Sequence, residues 1–423
     1  MDNIKPNSLS NTLYLAFFLA IRQVRRSSIG TTALIIFVMT LTFLNLVVVR
    51  GVLVGLIQSS TNVYKTKYAG DVIISVLPKK DYIENSPSII EIVKNMPWVQ
   101  SYSARYAESG KVEGTYKERF DYTEKANIAG GIVAGIDPVM EDNTTDLSKN
   151  IKEGSYLTKE DTESMLIGAN LLKKYLPIES PGLSVLENVE VGSKVRLTIG
   201  GNTKEMTVKG VIKSKVGELD QRIFVLDSVL RNLIGRSDYN VDEIAIKIKP
   251  DASAMVVKNA LISSGVANTS KVQTSDEALP KFLKDIKDTF GLLGNVIGSI
   301  GLVVASITIF IVIYINAITR RKFIGILKGI GIRSRVIEVS YIIQSVFYAT
   351  MGVLVGMAVL YGFLVPYVDA NPINFPFSDG ILVAELPNTL FRAGLLLVAT
   401  VFAGYIPARI VVKQNTLDAI LGR

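Results

Sequence analysis

Three long uncharged runs, residues 27–49, 289–319 and 340–368, each exceed the roughly 20 apolar residues that cross a bilayer as a helix. A fourth run, 386–408, is interrupted only by Arg392, which is close enough to one end for its guanidinium to reach the headgroups. Lipid offers no partner for a backbone amide, so each run must close its hydrogen bonds internally as a helix. The spacing constrains the chain further: one run lies near the start, three lie in the last third, and the stretch between them has the mixed composition of a domain in water. The fold expected is an α-helical membrane protein with four transmembrane helices, one plus three, and a large inserted extracytoplasmic α+β domain of two subdomains.

Orientation follows from the basic residues in short loops, which are retained on the cytoplasmic side. Lys5, Arg22, Arg25 and Arg26 precede the first run; Arg320, Arg321, Lys322, Lys328, Arg333 and Arg335 separate the second from the third; Arg409, Lys413 and Arg423 follow the fourth. Both termini are therefore expected in the cytoplasm of a cell membrane protein, with the inserted domain outside. The net charge of +8 is topological on this reading and faces membrane lipid, so no nucleic-acid partner is expected. Segment 12–21 resembles a signal-peptide core, but it runs into Arg22, Arg25 and Arg26 without a small-residue cleavage site. Leu13, Phe17, Ala20, Ile21 and Val24 share a helical face, which predicts an amphipathic helix on the inner surface.

The expected layout is a leader (1–26), a first span (27–57), the inserted domain (58–288), a second span (289–319), a cytoplasmic loop (320–338), a third span (339–368), an outer loop (369–385), a fourth span (386–408) and a tail (409–423). Within the inserted domain, 71–76 reads as a strand, 88–96 as a helix stopped at Pro97, and 98–110 and 127–135 as extended segments. Short alternating strands follow at 165–168, 194–198, 205–213 and 222–226, with a short helix at 170–175; 243–248 and the helix over 252–263 return to the first pattern. This predicts a β-rich insertion (141–234) within a first subdomain (58–140 and 235–280).

The chain contains no Cys and no His. Thiol nucleophiles, disulfides, Ser-His-Asp triads and the usual zinc ligand sets are thereby excluded. Asp137, Glu141, Asp142 and Asp146 cluster around Pro138, but without the alternating carboxylates and central Gly of a calcium loop. A solvated acidic loop is expected there, and the same reading holds for Glu153, Asp161 and Glu163. No P-loop occurs. The expectation is no catalytic, cofactor or metal site in this chain. The second and third spans carry no acidic or basic residue, which disfavours an ion-coupled pump.

Between those two spans, Phe323, Ile326, Leu327 and Ile330 fall on one helical face, while Arg321, Lys322 and Lys328 project elsewhere. Such a helix can float on the leaflet or insert its ridge into a partner's groove. Glycines four apart, Gly51/Gly55, Gly294/Gly298 and Gly352/Gly356, allow close helix approach, within the chain or across a dimer seam.

The text from Arg321 to Gly331 resembles the basic Glu-Ile-Gly-Ile-Leu-(Lys/Arg)-Ala-(Ile/Leu)-Gly signature of FtsX-like/MacB-type ABC transporter permeases. Ile406-Pro-Ala-Arg409 and the segment 416–420 resemble that family's tail. Val133-Ala-Gly-Ile-Asp-Pro138, Glu153-Gly-Ser-Tyr-Leu157, Leu166-Ile-Gly-Ala169 and Val208-Lys-Gly-Val211 resemble its extracytoplasmic domain. Phe323 stands where the family has Glu, and Thr416 where it has Pro. The resemblance implies a permease subunit without a fused ATPase, worked by ATP on a separate ABC ATPase subunit. It further implies a homodimer or paired permeases, an adaptor outside, and the 321–330 segment as coupling helix. Export of a peptide, drug or lipidated substrate by mechanotransmission is the leading implication; activation of a cell-wall hydrolase without transport, or lipoprotein release, are the alternatives.

Overall fold

The computed structural model describes residues 9–116, 126–176, 184–375, 378–380 and 382–413; Lys5, Arg423 and the 416–420 motif lie outside them. The leader forms α1 (Leu9–Arg25). After a turn in which the Ser28 hydroxyl accepts from Thr31 N–H at 3.3 Å, α2 (Ile29–Tyr64) begins and ends in a π-helical turn, Lys65–Ala69. These 41 residues make about 60 Å of helix at ~1.5 Å per residue, twice the ~30 Å hydrocarbon core.

The inserted domain opens with β1 (Val72–Ser75), α3 (Ser86–Lys94) and β2 (Val99–Glu113). Next come β3 (Ile128–Ile136), α4 (Pro138–Thr145), β4 (Ile151–Gly154), β5 (Ser164–Gly168), β6 (Lys194–Ile199), β7 (Asn202–Ile212), α5 (Gly217–Asp220), β8 (Arg222–Leu226) and α6 (Asp227–Ile234). It closes with β9 (Glu243–Ile248), α7 (Ala254–Ser263), β10 (Lys271–Thr274) and α8 (Ser275–Ala278).

Strands β10, β1, β9 and β2 lie side by side in that order, all antiparallel. With α3 and α7 as crossovers this is a pair of interleaved split β-α-β units, the ferredoxin-like arrangement. Everything between β2 and β9 is an insertion between its second and third strands. Val72, Ile73 and Ile74 of β1 are all buried, as expected of a strand covered on both faces. At 15 residues β2 outgrows one sheet: Val99–Arg105 pairs with β9, whereas Tyr106–Glu113 pairs with β3. It carries the chain into the second sheet, ordered β3, β8, β5, β7, β4, with β6 bridging β2 and β7. The division expected at residue 140 is therefore displaced. β3 belongs to the β-rich part because it pairs in parallel with β8, and its apolar run alone did not reveal its partner. The short helix expected at 170–175 is a single 3₁₀ turn, Ala169–Leu171.

The chain then forms α9 (Lys281–Thr319), α10 (Arg321–Gly329), α11 (Ser334–Val359), a π-helical turn at Leu360–Leu364, α12 (Val365–Ala370) and α13 (Leu386–Val412). Among the described residues, four helices are long and apolar enough to span a bilayer: Ile29–Ala69, Lys281–Thr319, Ser334–Ala370 and Leu386–Val412. Their shared core includes Met39, Phe43, Ile309, Ile313, Tyr348 and Leu396. Two expectations are corrected here. The leader's apolar face divides: Ala16, Ala20 and Gln23 are buried, with the Gln344 side-chain amide of α11 donating to Gln23 Oε1, while Leu13, Phe17 and Ile21 stay exposed. Small residues permit that helix–helix approach, so they, not the larger apolar ones, mark the packed side. Arg392 does not depend on headgroups alone; its guanidinium donates to the Leu46 carbonyl of α2 at 3.2 Å.

Candidate functional site

Three constellations could carry movement through this chain. The first is α10. Ile324, Gly325 and Leu327 face inward, whereas Phe323, Ile326 and Ile330 are 46%, 52% and 71% exposed. Leu327, expected on the outer ridge, instead anchors the helix in the bundle core. Lys328 Nζ donates to the Val412 carbonyl at 2.8 Å, tying α10 to the last turn of α13, where a cation also complements the helix dipole. Arg321 is half-buried and Lys322 exposed. The helix stops at Gly331, whose φ of +94° suits only glycine without strain, and three backbone bonds close its end: Ile330 N–H to Ile326 O, Gly331 N–H to Lys328 O and Ile332 N–H to Leu327 O, each 3.0 Å. An apolar ridge thus stands out from a helix fixed on its other side.

The second is the glycine seams. A Cβ on Gly352 would sit 2.5 Å from Met39 Cβ and 3.0 Å from the Met39 carbonyl carbon, and one on Gly356 would sit 2.4 Å from the Phe43 ring. Gly294 and Gly298 receive Arg50, Leu53 and Leu46 at ordinary contact distance, and Gly51 meets Leu382 and Val383. Gly55 is buried. Helix α2 is thereby held between α9 and α11, and these glycines pack within the chain.

The third lies in the inserted domain and was not anticipated. Arg105 of β2, 1% exposed, is paired with Glu141 of α4 at 2.7 Å and with Glu243 of β9 at 3.4 Å. Arg222 of β8 forks onto the same Glu243 at 2.7 and 3.1 Å. Both guanidiniums converge on Tyr68 in the π-turn that ends α2. Arg105 donates to its carbonyl (2.8 Å), Arg222 to its hydroxyl (2.6 Å), and each lies about 5 Å over its ring; the hydroxyl donates in turn to Glu243 (3.0 Å). Glu141 also accepts from Ser103 and Thr145. Far from belonging to a solvated acidic loop, Glu141 is fully buried. Asp137 does stay near the surface, capping α4 through Val139 and Met140 N–H. Glu153 and Asp161 form ion pairs with Lys174 and Lys209. The signal that could have revealed the network was a charge at the head of an otherwise apolar strand: Arg222 before Ile-Phe-Val-Leu and Glu243 before Ile-Ala-Ile.

Burial would raise the Glu243 carboxyl, but Arg222 and Arg105 outweigh it and hold the group down at about 2. Burial likewise opposes ionisation of Glu141, and Arg105 with its hydrogen bonds pulls it below its ordinary value. A carboxylate with a depressed folded value stabilises above its unfolded value and loses that contribution on acidification. Stability should therefore fall as pH drops from about 4.5 towards about 2. The fluorescence of the single Trp98 followed through that window should show the loss, and Glu243→Gln should flatten part of its slope.

Among the described residues, four membrane-length helices in a one-plus-three order, an α/β domain inserted after the first, and an amphipathic helix bridging the second and third define a multi-span membrane protein. Residues 295–416 match the model of the FtsX-like permease C-terminal family. Over 362 residues, 82% of this chain and 52% of the relative, the sequence is 24% identical to the macrolide export ATP-binding/permease protein MacB 1 of Yersinia pestis bv. Antiqua. It is also 24% identical to an uncharacterized ABC transporter permease of Methanocaldococcus jannaschii over 66% of this chain and 67% of that one. The C-terminal part of the chain is thus similar to FtsX-like permeases, and most of its length is similar to MacB-type ABC transporter permeases. It spans about half the length of the MacB relatives it matches, and the match is to their permease part. Among solved structures, the periplasmic region of MacB from Actinobacillus actinomycetemcomitans aligns at 15% identity and a TM-score of 0.33, over 48% of this chain and 88% of that one.

Proposed function

We propose that this chain is the mechanical half of an ABC transporter, driven by an ATPase subunit that seats on α10 and exporting a substrate captured on the outer side. The observation that carries the reading is the exposed ridge Phe323, Ile326 and Ile330 on a helix otherwise held by Leu327 and Lys328. Apolar side chains at such spacing are the means by which a helix enters a partner's groove. With Phe323 where the family has Glu, the contact rests on apolar burial more than on an ion pair. The two termini and the loop carrying α10 lie in the cytoplasm on this reading, and the inserted domain lies outside.

Movement of the driven subunits passes along α2, one unbroken helix from Ile29 to Tyr64, and ends at Tyr68 within the Arg105, Arg222, Glu141 and Glu243 network. Two copies of the chain, or this chain and a related permease, complete the transporter, and an adaptor on the outer side receives the substrate. The second and third spans carry no acidic or basic residue, which suits force transmission better than conduction.

Replacing Phe323, Ile326 and Ile330 together by Asp is expected to abolish substrate-stimulated ATP hydrolysis in vesicles carrying the permease and its ATPase, while the permease still folds and inserts. Each side chain of a buried helix-in-groove anchor is worth on the order of 2 kcal/mol, so the triple change should weaken association by at least a hundredfold. Unchanged coupling would overturn the assignment.

A further inference from the structure

The inserted domain contains a cavity of about 450 Å³ bordered by Ser109 and Gly110 of β2, Gly130, Gly131 and Ile132 of β3, and Glu218, Gln221 and Arg222. That volume falls within the range of small-molecule sites, ~300–1,000 Å³. Two features distinguish it from a packing gap.

The first is glycine without a packing reason. Glycine weakens a strand interior and tends to mark a close approach of backbone or ligand. Gly110 and Gly131 stand opposite each other in the β2–β3 ladder, and neighbours account for both: a Cβ would lie 2.6 Å from Val133 Cγ2 at the first and 2.6 Å from the Gln221 carbonyl at the second. At Gly130 the closest heavy atom would be 4.0 Å away. Nothing in the fold requires glycine there, and its missing side chain leaves the cavity open.

The second feature is an unspent donor. Arg222 is 4% exposed, and its two terminal nitrogens serve Glu243 and Tyr68, yet its buried Nε–H has no partner among the described residues. An unmet charged donor costs more than the ~1–3 kcal/mol of a neutral one, so an acceptor supplied from the cavity would relieve it. Glu218 borders the same space as an acceptor. Burial raises its carboxyl above its ordinary value, so burial disfavours the bare charge and a hydrogen-bond donor placed in the cavity would favour it.

We infer that this cavity binds a short stretch of peptide main chain, with a carbonyl accepting from Arg222 Nε–H and an amide N–H donating to Glu218. A peptide group presents both an acceptor and a donor, the complements of the Arg222 Nε–H and the Glu218 carboxyl, and the glycine floor admits backbone where side chains would intrude. The inference deepens the export reading by naming the substrate class. Because Arg222 also holds Tyr68, an occupant would bear on the residue in which α2 ends.

The test uses the full chain in lipid nanodiscs, without ATP or ATPase, and measures saturable binding of N-acetyl-tetraalanine amide by saturation-transfer NMR. The wild type should bind, and an analogue with every backbone nitrogen methylated should bind at least tenfold more weakly. Gly130→Leu, which fills the space, and Glu218→Ala should each reduce binding at least tenfold with an unchanged melting temperature. Gly130→Ala, too small to fill it, should retain binding and serves as a check on folding. No saturable binding in the wild type, or equal binding in Gly130→Leu, overturns the site. Since no ATP is involved, binding without ATP-coupled transport would remove the proposed function and leave the site standing, while transport without binding would do the reverse.

Discussion

Replacing Arg105 by Met should cost the inserted domain about 3–5 kcal/mol, because it strands Glu141 as a buried, uncompensated charge and leaves Glu243 to Arg222 alone. This guanidinium contacts two carboxylates, Glu141 at 2.7 Å and Glu243 at 3.4 Å, and it is the ion-pair partner of Glu141, which is 0% exposed. Thermal unfolding followed by circular dichroism should show the loss, and Glu141→Gln in the same chain should recover part of it by removing one stranded charge. A shift below 1 kcal/mol would mean that water reaches the network. Tyr68→Phe separates stability from transmission: it deletes only the hydroxyl that joins Arg222 to Glu243 and keeps the ring beneath both guanidiniums. It should cost about 1 kcal/mol and, on the proposed transport reading, reduce transport per ATP hydrolysed, since Arg222 of β8 and Glu243 of β9 then lose their hydrogen bonds to the turn that ends α2. Wild-type transport stoichiometry in that variant would show that the network holds the domain together without conveying movement.

The second large effect lies in the membrane. Gly352→Ala should destabilise the helix bundle by about 3 kcal/mol, the upper range for overpacking a well-filled interior. The added methyl would meet Met39 Cβ at 2.5 Å and backbone atoms of Met39 and Thr40 at 3.0 and 3.1 Å. Backbone cannot rotate away, so α2 and α11 must separate, lengthening the 3.2 Å bond from the Thr40 hydroxyl to the Gly352 carbonyl. Gly362→Ala and Gly394→Ala are the controls, because neither Cβ would have a neighbour within 4 Å. Melting of the purified protein in nanodiscs should fall for the first and hold for the other two; equal behaviour of all three would show that the seam is not tightly packed.

The long apolar runs made the four spanning helices legible, since twenty uncharged residues leave the backbone one way to satisfy itself in lipid. Alternating strands in the inserted domain were legible too, but their partners were not. β3 looked like a continuation of the first subdomain because a strand's own residues do not say which edge it joins; its parallel pairing with β8 spans some 90 positions of sequence. On α10, a period-3.6 stripe placed Leu327 with Phe323 and Ile330, although it turns inward with Ile324. Periodicity locates an apolar face but not the division between a side covered by the chain itself and a side left for something else. The Tyr68 network was invisible for a related reason. Its members come from five separated segments, and each taken singly reads as a surface charge or a strand-edge aromatic.

The ferredoxin-like sheet has one more consequence. Its first and last strands, β1 and β10, are direct neighbours, with Val72 opposite Thr274, so the chain arrives at and departs from the inserted domain at points about 5 Å apart. A guest joined through such closely spaced ends is a removable cassette. Excising 72–274 and sealing the gap with a tight turn would leave α2 and α9 joined by nearly the same span, so the membrane helices need not be re-threaded when the guest is removed.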